Sequence, residues 1–355
     1  MKLLSASAAL LLLGGCAAAS AQTETAPSKT IRLPAVEVPA SAETDPVATQ
    51  NADAADDPAI WVRADNKPFA FAGKQVPGVI LGTDKKAGLY VFGLDGKVLQ
   101  FLPEGRLNNV DLRSDGDGFV AVASDRTAGK LGVALYRFTG TGKLEDAGFI
   151  TTDLGEPYGM CMGRWNGALI AVLIGKDGQV REYTLSGTGT TLTGTERRRF
   201  AVGSQSEGCV VDDVAGFLYI GEEDVGVWRY PLAGDPATRV AIGKAGGGAL
   251  VADVEGMSIL ADRGKRYLIV SSQGDSAFAV WRVDGTAPAY RGRFRVVPNG
   301  KGVDGVSTTD GVDARGGPVG LYARGLVVMQ DNDNDGQAQN FKLVDWRDVL
   351  KALPK

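Results

Sequence analysis

The sequence predicts an all-β chain folded as a six-bladed β-propeller of four-stranded antiparallel blades. Three observations carry that reading. The chain has 49 glycines, and its apolar runs are short and end in Gly, Asp or Asn, residues that turn antiparallel strands. A pattern of aromatic-x-apolar-x-Gly recurs at Phe92, Tyr136, Tyr183, Tyr230 and Trp281, spaced 44 to 51 residues apart, with a degenerate sixth copy at Phe341. A pitch of roughly fifty residues, all strand and turn, is what one four-stranded blade requires. A second register starts each unit with a polar residue before an apolar strand, at Asp57, Asn109, Tyr158, Glu207, Glu255 and Asp310.

Residues 1–21 stand apart from the fold. Lys2, the apolar run Leu3 to Leu13 and the small residues after it form an export signal, too short to span a bilayer as a stable helix. "LGGC" at 13–16 reads as a lipoprotein signal that would leave a lipid anchor on Cys16; "ASA" before Gln22 reads as an ordinary signal-peptidase site. The lipoprotein reading is preferred, and the protein is expected outside the cytoplasm: periplasmic, membrane-anchored or secreted. Residues 22–45, rich in Ala, Thr, Ser, Pro and Glu, read as a flexible tether. The propeller is assigned to 46–355, with "TIRLPAVEV", 30–38, expected to complete its last blade.

The blades follow in order, each read from three short signatures. The first opens with "DDPAIWV", ends its next strand in "GTDKK" and carries "FGLDG"; the second has "NNVDLR", "ASDR" and "YRFTG". The third has "PYGMCM", "IGKD" and "YTLSG"; the fourth "SEGCVV", "GEED" and "YPLAG". The fifth has "VEGMSI", "SSQGD" and "WRVDG", and the sixth "TDGVDA", "MQDND" and "FKLVD". Consecutive antiparallel strands place the start of one beside the end of the next. Both polar sets therefore fall on one rim near the propeller axis. Half of that rim is basic, with Lys85, Lys86, Arg126 and Lys176. The other half is acidic, with Glu207, Glu222, Glu223, Asp253, Glu255, Asp304, Asp310, Asp331, Asp56 and Asp57, and includes Gln273.

Composition excludes several chemistries. The chain has no histidine, which removes His-ligated metals, Ser-His-Asp triads and phosphohistidine phosphatases. Cys161 and Cys209 open no C-x5-R phosphate loop; they read as small buried strand residues, free to pair in an exported protein. A net charge of -4 and a pI near 5.2 argue against a nucleic-acid partner.

Hard oxygen ligands without His or Cys suit calcium, which takes six to eight oxygens in a flexible geometry, and a carboxylate ring of this size would hold several ions. "DNDNDG", 331–336, resembles a calcium loop on the same rim. The basic residues are either salt-bridge partners of the acids or an anion pocket for phosphate.

At these positions the chain resembles a known family. "DAADDPAIWV", "GTDKKAGLYVF", "GRLNNVDLR", "EPYGM", "GSQSEGC", "LYIGEEDVGVWRY", "DVEGMSI", "SSQGDS", "TDGVD" and "NFKLVDW" resemble the calcium-dependent β-propeller phytases, from about Glu43 to the C-terminus. The resemblance implies a phosphoric monoester hydrolase that converts phytate, myo-inositol hexakisphosphate, stepwise to lower inositol phosphates. It makes Asp56, Glu207, Glu223, Asp253, Glu255, Gln273, Asp310 and Tyr158 the active-site calcium and water shell, with Glu207, Glu223, Asp56 and Tyr158 catalytic. Asp57, Pro58, Val110 and Asp304 would serve stabilising calcium sites, Pro58 and Val110 through their carbonyls, and Asp331 joins the metal set from its loop. Lys85, Lys86, Arg126 and Lys176 would hold phosphates of a monomeric enzyme. Two other readings stand beside it: a calcium-dependent lactonase or phosphotriesterase on a similar propeller, and a non-enzymatic calcium-binding surface propeller.

Overall fold

Short apolar runs separated by glycine turns fold here as meanders, each strand pairing antiparallel with the next. The computed structural model describes residues 31–50 and 52–354; the export signal, Cys16 and residues 22–30 lie outside the described residues. The first blade orders Ala55–Trp61, Val79–Asp84, Gly88–Gly93 and Val98–Leu102, with a small hairpin, Phe69–Phe71 and Lys74–Val76, between its first two strands. The second runs Leu107–Asp115, Gly118–Thr127, Lys130–Phe138, Glu145–Thr151, and the third Pro157–Trp165, Ala168–Gly175, Gln179–Ser186, Thr193–Ala201. The fourth is Ser206–Asp212, Phe217–Glu222, Gly226–Pro231, Val240–Lys244, and the fifth Val254–Asp262, Lys265–Ser272, Ala277–Arg282, Ala289–Val297. The sixth takes Val312–Gly316, Gly325–Asp331 and Asn340–Asp345 from the C-terminus and Ala42–Glu43 from the N-terminus. First strands touch their neighbours in cyclic order, the sixth returning to the first. This is a six-bladed propeller.

The recurring aromatic motif has a packing role. Phe92, Tyr136, Tyr183, Tyr230, Trp281 and Phe341 lie on the third strands, and all six are buried. Phe341 of the sixth blade meets Phe92 of the first edge-on, ring centroids 6.1 Å apart. Gly82 makes that contact feasible, because a Cβ there would stand 2.5 Å from the Phe341 ring. Aromatic pairs of this geometry add to the apolar area removed from water between blades.

Two expectations are corrected. The tether assigned to 22–45 contains short strands from Ile31 onward: Ile31–Arg32 pairs with Gly247–Gly248, and Val36–Pro39 lies parallel on the outer edge of the fifth blade. The strand that closes the ring is Ala42–Glu43, paired with Leu343 and Lys342, and not residues 30–38. Alternate side chains Val38 and Ala40 are buried; a composition average over a Pro, Glu and Thr background conceals that alternation. The chain ends in a helix, Trp346–Ala352, capped by Asp345, whose Oδ1 accepts from Arg347 N at 2.8 Å. The helix buries Trp346 and Val349 in the same cluster as Val38.

Cys161 and Cys209 form a disulfide between the first strands of the third and fourth blades.

Candidate metal centre and active site

The register of the blades breaks at the same place in five of them. Pairing jumps between Ala55 and Pro58, Leu107 and Val110, Pro157 and Met160, Ser206 and Cys209, and Val254 and Met257. Each jump is a β-bulge, in which two residues oppose one and a side chain is re-aimed. The first bulged residue is Asp56, Asn108, Tyr158, Glu207 or Glu255, and Asp310 holds the corresponding place before the sixth blade's first strand. The sequence register is therefore one residue late in the first two blades, where it selected Asp57 and Asn109.

The second bulged position explains how these strands crowd around the axis. It is Gly159, Gly208, Gly256 and Gly311 in four blades, where a Cβ would stand 2.1 to 2.7 Å from the next blade's backbone. Gly256 N donates to Asp310 O at 2.9 Å and Gly311 N to Asp56 O at 3.1 Å, tying neighbours together. Asp57 and Asn109 replace glycine in the other two, and their side chains make the tie. Asp57 Oδ2 accepts from Val110 N at 3.1 Å, and the Asn109 amide, turned over, would donate to Tyr158 O at 2.9 Å and Glu207 Oε1 at 3.1 Å.

The ring concentrates negative charge away from water. Glu207, Glu223 and Glu255 are buried and bring one carboxylate oxygen each within 4.8 Å of the others. Both oxygens of Asp56, Glu223 Oε1, Glu255 Oε2 and Asn108 Oδ1 are buried without a hydrogen-bond partner. Burial pushes the Glu255 carboxyl well above its ordinary range, with Glu207 and Asp310 adding repulsion. Asp56 rises for the same first reason, against the pull of Lys85, and Glu207 and Asp310 are also raised by burial. Glu223 is pushed up to about 7, chiefly by burial. Orphaned oxygens and repelling carboxylates in one pocket fit a hard cation, which would meet both deficits. Glu207, Glu223, Glu255 and Asp56 are the residues placed to hold it.

Neighbouring side chains aim these groups. Tyr158 is half-buried beside Glu207 and Glu223, and its hydroxyl accepts a long bond from Gln205 Nε2 at 3.5 Å. Burial and the Glu207 charge push its pKa upward, so it keeps its proton. Gln205 Nε2 donates to Glu223 Oε2 at 2.7 Å, and Gln273 Nε2 donates to Asp310 Oδ1 at 2.5 Å. Asp253 is half-buried, and its carboxyl is raised by burial and by Asp224 and Asp310. Sequence reasoning missed Asn108 and Gln205; for Asn108 the signal was the matching bulge position, which only the strand register reveals.

The basic half divides in two. Lys85 is buried among the acids: its Nζ donates to Asp310 Oδ2 at 2.8 Å and lies 2.6 Å from Asp53 Oδ1 and 3.9 Å from Asp56 Oδ2. It matches the salt-bridge alternative left open by the sequence. Arg126 and Lys176 instead flank the Tyr158 ring, 5.9 and 5.4 Å from its centroid. Both face Glu156, at 3.5 and 4.0 Å, a half-exposed acid the sequence reading did not single out. Lys86 is exposed beyond Lys85.

The remaining candidates lie elsewhere. Asp57, Pro58 and Val110 line an axial cavity of about 540 Å³ that runs down the first strands beneath the ring. Asp304 and Asp331 do not join the ring. Their carboxylates, with Glu43, surround the Lys342 ammonium, which is fully buried; Glu43 Oε2 is 2.6 Å and Asp331 Oδ2 3.2 Å from Lys342 Nζ. In this structure a protein cation, Lys342, meets the charge of these two aspartates.

The chain is 39% identical over 336 residues to the 3-phytase of Bacillus subtilis (strain 168), covering 89% of this chain and 85% of that protein. Similar solved structures include a GH43_1 enzyme from Xanthomonas citri, at 14% identity and TM-score 0.43 over 67% of this chain and 86% of that one. Another is BBS1N in complex with ARL6DN, at 12% identity and TM-score 0.46 over 75% and 74%; both are too distant to speak to chemistry. The family model for Phytase matches residues 1–355, and with that whole-length match the chain belongs to the Phytase family.

Proposed function

We propose that the chain hydrolyses phosphate monoesters of phytate to lower inositol phosphates and phosphate, in a calcium-dependent reaction without a covalent intermediate. The observation that carries this is the buried carboxylate ring, with its orphaned oxygens, set beside Arg126 and Lys176. Calcium bound there would supply the positive charge that offsets phosphate and carboxylate repulsion and would make water more acidic. Glu207, Glu223, Glu255 and Asp56 would hold the ion, with Asp310 and Asp253 beside them. Tyr158 keeps its proton beside Glu207, where its hydroxyl can meet water or a phosphate oxygen, and Gln205 orients Glu223. Arg126 and Lys176 take phosphate groups in place of Glu156, fixing a polyphosphate whose next ester lies over the ring. Cys161 and Cys209, being joined, offer no thiolate nucleophile. That disulfide also supports a location outside the cytoplasm, where such bonds persist.

Turnover of phytate, p-nitrophenyl phosphate and a lactone, each with calcium and with excess EDTA, tests the reading. Phytate turnover should vanish in EDTA and return with calcium. Lactone turnover without phosphate release would favour the lactonase, and no turnover of any substrate would favour a binding protein.

A further inference from the structure

We infer that Asn108 is a positioning residue of this reaction, tying Glu207 from two blades away and presenting a neutral oxygen to the ring. The inference rests on the metal-ring reading above. Asn108 belongs to the second blade and Glu207 to the fourth, yet Asn108 Nδ2 donates to Glu207 Oε1 at 2.7 Å. The bond passes over the intervening blade that carries Tyr158. Asn108 is fully buried, and its Oδ1 has no partner. It occupies the same bulge position that supplies Asp56, Tyr158, Glu207 and Glu255 from the other blades.

An amide suits this place better than a carboxylate. A sixth ring acid 2.7 Å from Glu207 would add repulsion to a site already rich in charge. The amide instead gives a donor to Glu207 and keeps one neutral oxygen for the cation, which accepts carbonyl as readily as carboxylate ligands. Asn108 Nδ2 also donates to Asn109 Oδ1 at 3.0 Å, which fixes the amide that holds Glu207. Such outer contacts orient a ligand and tune its affinity for metal.

The test uses Asn108→Ala and the near-isosteric Asn108→Asp in the full chain. Binding of calcium alone is read by titration calorimetry, melting is followed in EDTA and in saturating calcium, and phytate kinetics are measured. Asn108→Ala should weaken calcium binding by about 10- to 100-fold, shrink the calcium-induced rise in Tm, and lower kcat with KM for phytate held. Asn108→Asp should melt earlier in EDTA and gain more from calcium than wild type, because only a cation relieves the added charge. Its kcat should stay low, since Glu207 has lost a donor. Equal losses of Tm with and without calcium in both variants, at wild-type calcium affinity, would make Asn108 a packing residue and overturn the assignment. If Asn108→Ala fails to fold, the Asp variant alone decides by the sign of its calcium response. Wild-type protein that binds no calcium would remove the ring reading itself, and this assignment with it.

Discussion

Glu222, Glu223 and Asp224 are adjacent acids with three different fates. Glu222 is buried and its oxygens are met by donors, with Trp228 Nε1 at 2.7 Å and Ser204 Oγ at 2.6 Å. Glu223 points into the ring, and Asp224 is exposed. Glu222 is the last residue of its strand and Glu223 the first of the turn that follows, so the chain changes direction between them and one carboxylate serves packing while the next serves chemistry. Glu223→Gln should abolish phytate turnover, melt later than wild type in EDTA, and lose much of the calcium-induced rise in Tm. Glu222→Ala should show the reverse, a loss of about 1–3 kcal/mol from two unmet donors, with kcat per folded molecule unchanged. Kinetics and melting of the two variants side by side check both. Equal kinetic loss would mean that the pair acts as one unit.

At the scale of strands, much of the molecule was legible because its packing repeats. Third strands announce themselves by an aromatic that must fill the gap between blades, and ring positions by the polar residue before a Gly that must admit a neighbour's backbone. The bulge was not legible: it is a property of pairing, so Asp57 and Asn109 were read in place of Asp56 and Asn108. Nor was the knot at Lys342, whose partners come from positions 43, 304 and 331 and meet only when the sixth blade closes. Lys342→Met should cost about 3–5 kcal/mol, because it strands carboxylates without their cation; a Tm within a degree or two of wild type would deny that the knot holds the closing strand. The ends of the second strands separate by role. Arg126→Ala and Lys176→Ala should hurt phytate more than p-nitrophenyl phosphate, since only the polyphosphate uses subsites beyond the cleavage pocket. Lys85→Ala should harm both substrates alike and lower Tm, because Lys85 restrains Asp310 and Asp53. Equal losses on both substrates for all three variants would leave no role for a clamp.

For the whole molecule, the ring sets how stability follows pH. Without a cation, burial lifts Glu223 from its ordinary 4.5 to about 7, and Asp56 and Glu255 are also raised well above their ordinary values. The folded state then holds protons that the unfolded chain has already released, so metal-free stability falls as pH climbs through about 4.5 to 7 and beyond. Calcium binds the ionised carboxylates and competes with those protons, so its affinity grows over the same interval. Ligand binding to the native state alone adds stability in proportion to the logarithm of concentration over Kd. Melting in EDTA should therefore decline from about pH 5 to about pH 8, while melting in saturating calcium declines less, and the gap between the curves should widen with pH. Calorimetric scans at matched ionic strength measure that gap, since salt screens exposed charge more than the buried ring. A gap that stays constant across the range would show that calcium binds without displacing protons from Glu223 and its neighbours. The buried acids would then be set aside as the seat of calcium binding, whatever the enzyme's activity.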